Sequence, residues 1–446
     1  MMNGYEREYG RPEQNSTPSF VGVGGAKIKV IGVGGAGNNA VNRLIESGLQ
    51  GAEYIVVNTD LQDLTRSKAR TRIQIGAELT KGLGAGADPN VGKKAAEADV
   101  EAIKAALRDT DLLFIASGMG GGTGTGAAPV VAKIARELDI LTVAVVTLPF
   151  GFEGHLRMTN ALTGVEELKK YVDSIITIPN EKIGKVVKKG TSFKDALKVA
   201  DEVLRQGIRG IAELIIKPSL INLDFADVKT TLKGRGLAHM GIGVAKGEKR
   251  IYEAVRCAVC SPLLNTTIEG AKAVIINVIG GSDLGLEEVS IAANLVKDVI
   301  DYSANVIFGA CIDESMADEV EIVIIATGFG NNSNMFATNS QNEALHQASS
   351  LSRKLDYAYN HQNTEPFKPM MSNSFEEQAP SSNSSPAQTY TSPYDAINRA
   401  QTAQSSYMKP MSTFEPDDPI PEGTTDKKHR PHFVDFFMRK NGEEEQ

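Results

Sequence analysis

Twice in this chain an apolar, β-branched run ends in a cluster of glycines and passes at once into a helix-forming stretch. The first is KIKVIGVG (Lys27–Gly34), followed by GAGNNAVNRLIESG; the second is DLLFIASG (Asp111–Gly118), which runs into MGGGTGTGAAPVVAKIARELD. From Gly118 to Gly126 the chain holds six glycines and two threonines. Such a run weakens any helix or strand it interrupts, because each glycine loses more backbone freedom than other residues do on ordering. A spacer would lie in polar surroundings between domains, whereas this run lies between LLFIAS and APVVAKIA. Strand, glycine turn and helix, repeated at this spacing, specify a parallel, doubly wound α/β sheet. In such sheets ligands bind outside the carboxyl ends of the strands, so every loop that follows a strand is a candidate site.

Further strands are expected at Ala52–Asp60, at RIQIG and at Leu141–Pro149, with helices over Gly92–Leu107 and APVVAKIARELD. From Thr191 to Pro218, apolar residues recur at intervals of three and four: Phe193, Leu197, Ala200, Leu204, Ile208, Ile211 and Ile215. That is one long helix with a core-facing stripe, capped by Thr191 or Ser192 and ended by Pro218. At about 1.5 Å per residue it reaches roughly 36–40 Å, enough to join two domains as a strut. Beyond it, Ala271–Gly281, NVIFGACI and Glu319–Gly328 read as strands of a second, smaller α/β domain. From Asn331 the sequence turns to Ser, Asn, Gln, Thr and Pro, a composition that buries too little apolar surface to offset chain entropy. The expected organisation is therefore a disordered extension (1–25), a Rossmann-like parallel-sheet domain (26–190) and a central helix (191–218). A smaller α/β domain (219–330), a disordered linker (331–428) and a docking peptide (429–446), carrying HFVDFFMRK, complete it.

A formal charge of −8 argues against general affinity for nucleic acid. Three cysteines are too few for a disulfide scaffold, and Cys257 and Cys260, three apart on an expected helix, read as small apolar residues in a reducing compartment. No apolar stretch is long enough to span a bilayer and no targeting signal is visible, so a cytoplasmic location without direct membrane insertion is expected.

The chemistry lies in the loops. Gly32, Gly34 and Gly37 form a GxGxxG between strand and helix, where amide donors and the helix dipole favour a phosphate. With NTD (Asn58–Asp60) ending the next strand, an NAD-dependent oxidoreductase is one reading. The second glycine loop points elsewhere: it gives the same sheet edge another phosphate cradle, with the hydroxyls of Thr123 and Thr125 added. KGLGAGADPN (Lys81–Asn90) can supply a third set of amides. Several loops converging on one edge suit a nucleoside triphosphate. No GxxxxGK[ST] is present, so backbone amides, helix dipoles and a metal ion must manage the charge.

These motifs, with PFGFEGHLRM, ITIPN and NLDFADV in order over residues 27–330, resemble the tubulin/FtsZ family in its bacterial cell-division form. The resemblance implies a tubulin-like GTPase fold and a site for GTP and GDP, with Mg2+ accompanying the triphosphate. Gly35, Ala36, Gly37, Asn38 and Asn39 would hold phosphates, together with Gly120, Gly121, Gly122, Thr123, Gly124, Thr125 and Gly126. Asn58, Asp60, Gly84, Ala85 and Gly86 would complete the nucleotide loops. Glu153 and Arg157 would meet the ribose, and Asn180 and Asp201 the guanine, whose ring N–H and exocyclic amine a carboxylate can accept together. Asn222, Asp224 and Asp227 would enter the pocket of the next subunit and polarise the attacking water, so that hydrolysis requires a head-to-tail filament. Read without the resemblance, Asp224 and Asp227 are a helix cap and a first-turn acid. The implied role is a polymerising GTPase of the division ring at midcell, tethered to the membrane through adaptors that bind the C-terminal peptide. A non-hydrolysing tubulin-like scaffold is a further alternative. Ala36 stands where many relatives have glycine, and the C-terminal peptide lacks the family's usual acidic-Ile-Pro opening.

Overall fold

The computed structural model describes residues 25–186, 191–216, 221, 224–261, 268–329, 351–356 and 359, all within one compact unit. Residues 1–24 of the expected extension (1–25), most of the expected linker (331–428), the C-terminal peptide, Pro218 and Asn222 lie outside the described residues.

Strands β1 (Ile28–Val33), β2 (Ala52–Asn58) and β3 (Thr71–Gln74) are joined by helices α1 (Gly34–Glu46) and α2 (Leu61–Arg66). Helices α3 (Ala77–Thr80), α4 (Pro89–Ala98) and α5 (Val100–Leu107) lead to β4 (Leu112–Gly118), α6 (Thr123–Glu137) and β5 (Leu141–Leu148). After α7 (His155–Lys169) come β6 (Ser174–Pro179), α8 (Asn180–Val186) and the long α9 (Phe193–Ile216). The C-terminal part is α10 (Phe225–Leu232), β7 (Gly236–Lys246), α11 (Arg250–Val259), β8 (Ala273–Gly280), α12 (Leu286–Lys297), β9 (Asn305–Ile312) and β10 (Glu319–Thr327).

The ten strands form one sheet in the order β3-β2-β1-β4-β5-β6-β7-β10-β8-β9. The first six are parallel, in the order that reverses direction between β1 and β4. The sheet continues without a break into the C-terminal strands, through a short parallel pairing of β6 with β7, and β10 then runs antiparallel to both its neighbours. Alternate residues feed opposite faces, as strand geometry requires. On β4, Leu112, Phe114 and Ala116 join one core with α1 and α9, while Leu113 and Ile115 join another with α6. On β10, Val323 and Ile325 enter that same first core, while Val320, Ile322 and Ile324 pack with α11 and α12.

Ser192 caps α9, accepting from the Asp195 N–H at 3.1 Å. Five of the seven stripe residues, Ala200, Leu204, Ile208, Ile211 and Ile215, are buried. At 24 residues the helix is about 36 Å long, as expected.

Four local expectations are corrected. The helix expected over Gly92–Leu107 is two helices, because the Asp99 carboxylate turns away to accept the Gly76 N–H at 2.6 Å. Helix α6 begins at Thr123, inside the glycine run rather than after it. Strands β6 and β7 lie outside the expected strands. Within the stretch read as linker, residues 351–356 are helical, with Leu351 and Leu355 buried against α11 and α12 and Lys354 Nζ 2.6 Å from Glu269. None of the three cysteines forms a disulfide. Cys311 is buried, while Cys257 and Cys260 are half-buried, and burial pushes both of these thiols up, Cys260 to about 11.

Candidate functional site

The carboxyl ends of β1 and β4 are held together by Ser117 Oγ, which donates to the Val33 carbonyl at 3.1 Å. From these ends α1 and α6 leave side by side. A Cβ added at Gly34, whose φ is +73°, would lie 2.9 Å from the Gly124 nitrogen, so the first turns of the two helices abut. Neither helix has an acidic residue in its first turn, and neither receives a side-chain cap. The two helices at the rim differ: Asp60 caps α2 through the Gln62 N–H at 2.8 Å, and Asp88 caps α4 through the Asn90 N–H at 2.9 Å. A helix start without acid or cap leaves its amides and its positive dipole end for an external anion. Here two such starts open into one cavity of about 520 Å³.

The cavity gathers residues from across the sequence. Gly35, Ala36, Asn58, Asp60, Gly84, Ala85, Gly121, Gly122, Thr123, Gly124, Glu153, Arg157, Asn180 and Asp201 all line it. Its wall on α9 is apolar, made by Leu197, Ala200 and Leu204 around the Asp201 carboxylate. Leu197, unlike the five buried stripe residues, is exposed because it faces the cavity. Asp201 accepts from Arg43 Nε at 3.4 Å, yet burial outweighs that neighbour and pushes its carboxyl above the usual range. Asn180 is buried and its Oδ1 has no hydrogen-bond partner. A buried acceptor left unpaired in a cavity wall costs free energy that a ligand donor would restore. Glu153 accepts from the Phe150 N–H at 2.9 Å and from Arg157 Nε at 3.1 Å, which fixes the mouth of the cavity.

The remaining expected nucleotide residues do not line the cavity, and several of them support the cradle from behind. Thr125 Oγ1 accepts the Gly120 N–H at 2.8 Å and so latches the loop. A Cβ at Gly37 would lie 2.3 Å from the Ala116 carbonyl, and one at Gly126 2.0 Å from that of Pro89; these glycines allow helices to lie close to backbone. With its amide nitrogen toward the carbonyls of Gly32 and Gly34, 3.1 Å from each, buried Asn38 ties the first loop to Asn58. Asn39 and Gly86 are exposed. The Thr123 hydroxyl is shared with Thr59 Oγ1 at 2.7 Å.

Sequence reasoning missed Asp63, Met119, Thr147 and the α9 wall, all of which line the cavity. The α9 residues carried a signal, because Leu197, Ala200 and Leu204 flank Asp201 on one helical face.

Asp224 and Asp227 do not line this cavity. Asp224 occupies the N-cap position of α10, but its carboxylate makes no capping bond; Asp227 sits in the first turn, and both are exposed.

Residues 27–188 match the Tubulin/FtsZ family GTPase domain, and residues 236–330 match the FtsZ family C-terminal domain. The structure of an FtsZ dimer from M. jannaschii is 50% identical, covers 68% of this chain and 89% of its own, and superposes with a TM-score of 0.67. The chain belongs to the tubulin/FtsZ family. A second M. jannaschii FtsZ structure, that of a point mutant, is also 50% identical, covering 68% of this chain and 91% of its own at a TM-score of 0.66. CetZ2 from Haloferax volcanii, 22% identical over 76% of this chain and all of its own, shares the fold with a TM-score of 0.60. The tubulin/FtsZ GTPase domain is a GTP-binding and GTP-hydrolysing unit, and the α/β architecture expected from the glycine loops is that fold.

Proposed function

We propose that this chain binds GTP in the cavity between α1, α6 and α9 and hydrolyses it where two subunits meet head to tail. The resulting protofilaments build the cell-division ring. One observation carries the reading: two acid-free, uncapped helix starts abut at one end of a single cavity, while an apolar wall bearing a carboxylate closes the other. The triphosphate fits the first end and the base the second. Asp201 accepts the guanine ring N–H and exocyclic amine, and the aliphatic side chains around it cover the ring. The ribose lies by Glu153 and Arg157.

Asn222, Asp224 and Asp227 of the next subunit complete the site. Asp224 suits the role because its carboxylate is exposed and has no capping bond to give up. It orients a water toward the γ-phosphorus; as that P–O bond forms, the bond to the β,γ-bridging oxygen breaks, GDP leaves and the water's proton passes to the carboxylate. Among the described residues no group of three or more His, Cys, Asp or Glu side chains could hold a metal alone. Asp60 and Asp63 line the cavity, a donor set that suits Mg2+ shared with phosphate oxygens and water. Bound there, the ion would neutralise phosphate charge. Self-association is in keeping with the similar M. jannaschii protein, whose structure is a dimer.

No helix among the described residues is long and apolar enough to cross a membrane. In this reading adaptors that take the C-terminal peptide hold the ring at midcell on the inner membrane face.

Equilibrium titrations of the full chain with GTP, GDP, ATP and NAD, alongside Asp224→Ala, test the reading. It expects GTP and GDP to bind far more tightly than ATP or NAD, and the variant to bind GTP normally without turnover. NAD binding as tight as GTP binding would overturn the nucleotide assignment. Normal turnover by the variant would overturn the role of Asp224.

A further inference from the structure

A second groove, of about 420 Å³, runs along the outer face of α6 between α4 and α7, on the far side of that helix's first turn from the nucleotide cavity. Pro129, Val130 and Ile134 of α6 give it a buried apolar floor. Lys93 and Glu97 rise from α4, and Lys133 and Glu137 from α6, all four exposed. Among the described residues no hydrogen bond or ion pair engages Glu97, Lys133 or Glu137, while Lys93 acts electrostatically on Glu167 of α7, which also lines the groove and is paired with Lys170. The groove thus offers hydrophobic area edged by exposed charges of both signs, Lys93 and Lys133 against Glu97 and Glu137.

The chain itself carries a matching segment. In HFVDFFMRK (His432–Lys440), Phe433, Phe436, Phe437 and Lys440 fall at i, i+3, i+4 and i+7, the anchor spacing of a helix laid into a groove. Asp435 and Arg439 stand four apart beside that stripe. One acid and two bases flanking three phenylalanines answer the groove's lysines, glutamates and apolar floor. About 70 residues separate Tyr359 from His432, and a tether of that length and composition spans roughly 45 Å. Such a tether keeps the segment at an effective concentration on the order of millimolar, so that even weak docking is populated.

We propose that His432–Lys440 docks into the α4–α6–α7 groove of its own chain. The phenylalanines lie on the α6 floor, Asp435 faces Lys93 and Lys133, and Arg439 and Lys440 face Glu97 and Glu137. The proposal does not rest on the GTPase reading. Its consequence is competitive: a segment seated in the groove is withheld from any other partner. It also touches the nucleotide loop, since Thr125, which latches the Gly120 N–H, lines the groove's inner end.

Site-specific photo-cross-linking on the full chain tests this, with a benzophenone amino acid in place of Phe436. Irradiating a dilute mixture of 14N- and 15N-labelled protein separates links within a chain from links between chains. The expected result is links within one chain to the groove walls. The yield should fall about fivefold in Lys93→Glu/Lys133→Glu, the weight of roughly 1 kcal/mol of charge pairing, and recover when Asp435→Lys is added. Links elsewhere on the surface, links between chains only, no links, or a yield indifferent to the charge reversals would each overturn the proposal. Unchanged circular dichroism of the variants shows that they fold.

Discussion

Replacing Asp201 by asparagine tests the base-binding end of the cavity with almost no change of shape. In the proposed complex guanine presents two donors to the carboxylate, and hydrogen bonds to a charged group are worth about 1.5–3 kcal/mol each. In the amide one acceptor becomes a donor, so one bond is lost and the other weakens to a neutral one. Set against this, the native carboxylate is already disfavoured by burial and is drawn toward Arg43, 3.4 Å away. The net loss is therefore about 2–3 kcal/mol, or roughly 30- to 150-fold in GTP affinity. Xanthine carries a carbonyl where guanine carries its amine, so the asparagine NH2 finds an acceptor and preference moves toward XTP. Competition of GTP and XTP against a fluorescent GTP analogue, on wild type and Asp201→Asn, measures both effects. A GTP affinity within threefold of wild type, or no relative gain for XTP, would show that Asp201 does not hold the base. The same carboxyl sets a pH dependence. Its raised pKa means that the empty folded protein holds the proton at higher pH than an ordinary aspartate near 3.8 does. Protonation thus favours the empty fold, a contribution complete below the unfolded value and lost as pH rises through the folded one. Guanine requires the ionised form, so GTP affinity should fall on acidification, beginning above the ordinary aspartate range, and that acid loss should vanish in Asp201→Asn.

Three further substitutions probe the cradle and the proposed subunit junction. A Cβ at Gly92 would lie 2.3 Å from the Gly122 carbonyl, so Gly92→Ala should displace the phosphate loop, weaken GTP binding and cost about 1–3 kcal/mol in urea denaturation. Thr125→Val leaves the buried Gly120 N–H without its acceptor and should cost about 1–3 kcal/mol, with a matching loss of affinity in GTP titration. Asp224→Ala should leave the melting temperature nearly unchanged, although an N-cap substitution usually costs about 1 kcal/mol, because this carboxylate makes no capping bond. A drop of several degrees would show that the side chain serves the fold.

Much of the site was legible because each glycine loop stands between an apolar strand and a helix, a context that leaves few alternatives. What stayed hidden depended on partners distant in sequence. Helix α6 starts within the glycines because α4 presses against it: a Cβ at Gly126 would strike the Pro89 carbonyl, so residues that read as loop are helix kept bare for packing. Strand β7 was obscured in the same way. Gly241 and Gly243 depress strand propensity, yet a Cβ at either would lie 2.0 Å from a carbonyl of α11, that of Ala258 or Ala254. Leu351 and Leu355 were invisible in a polar stretch, since two leucines make a docking turn only where Tyr252 and Val255 already offer a surface. Asp63 gave no signal beyond its place three residues after Asp60. Asp224 read on its own as a cap; its position agrees with that reading, and its unused side chain does not.

In the proposed mechanism the cavity is only part of an active site, and the carboxylates completing it come from another subunit. Specific GTPase activity of the full chain, measured from well below to well above the concentration at which it assembles, tests this most directly. A site shared between subunits gives almost no turnover per molecule at low concentration, a threshold, and a plateau once subunits meet. Constant specific activity through the same range, with GTP bound throughout, would contradict it.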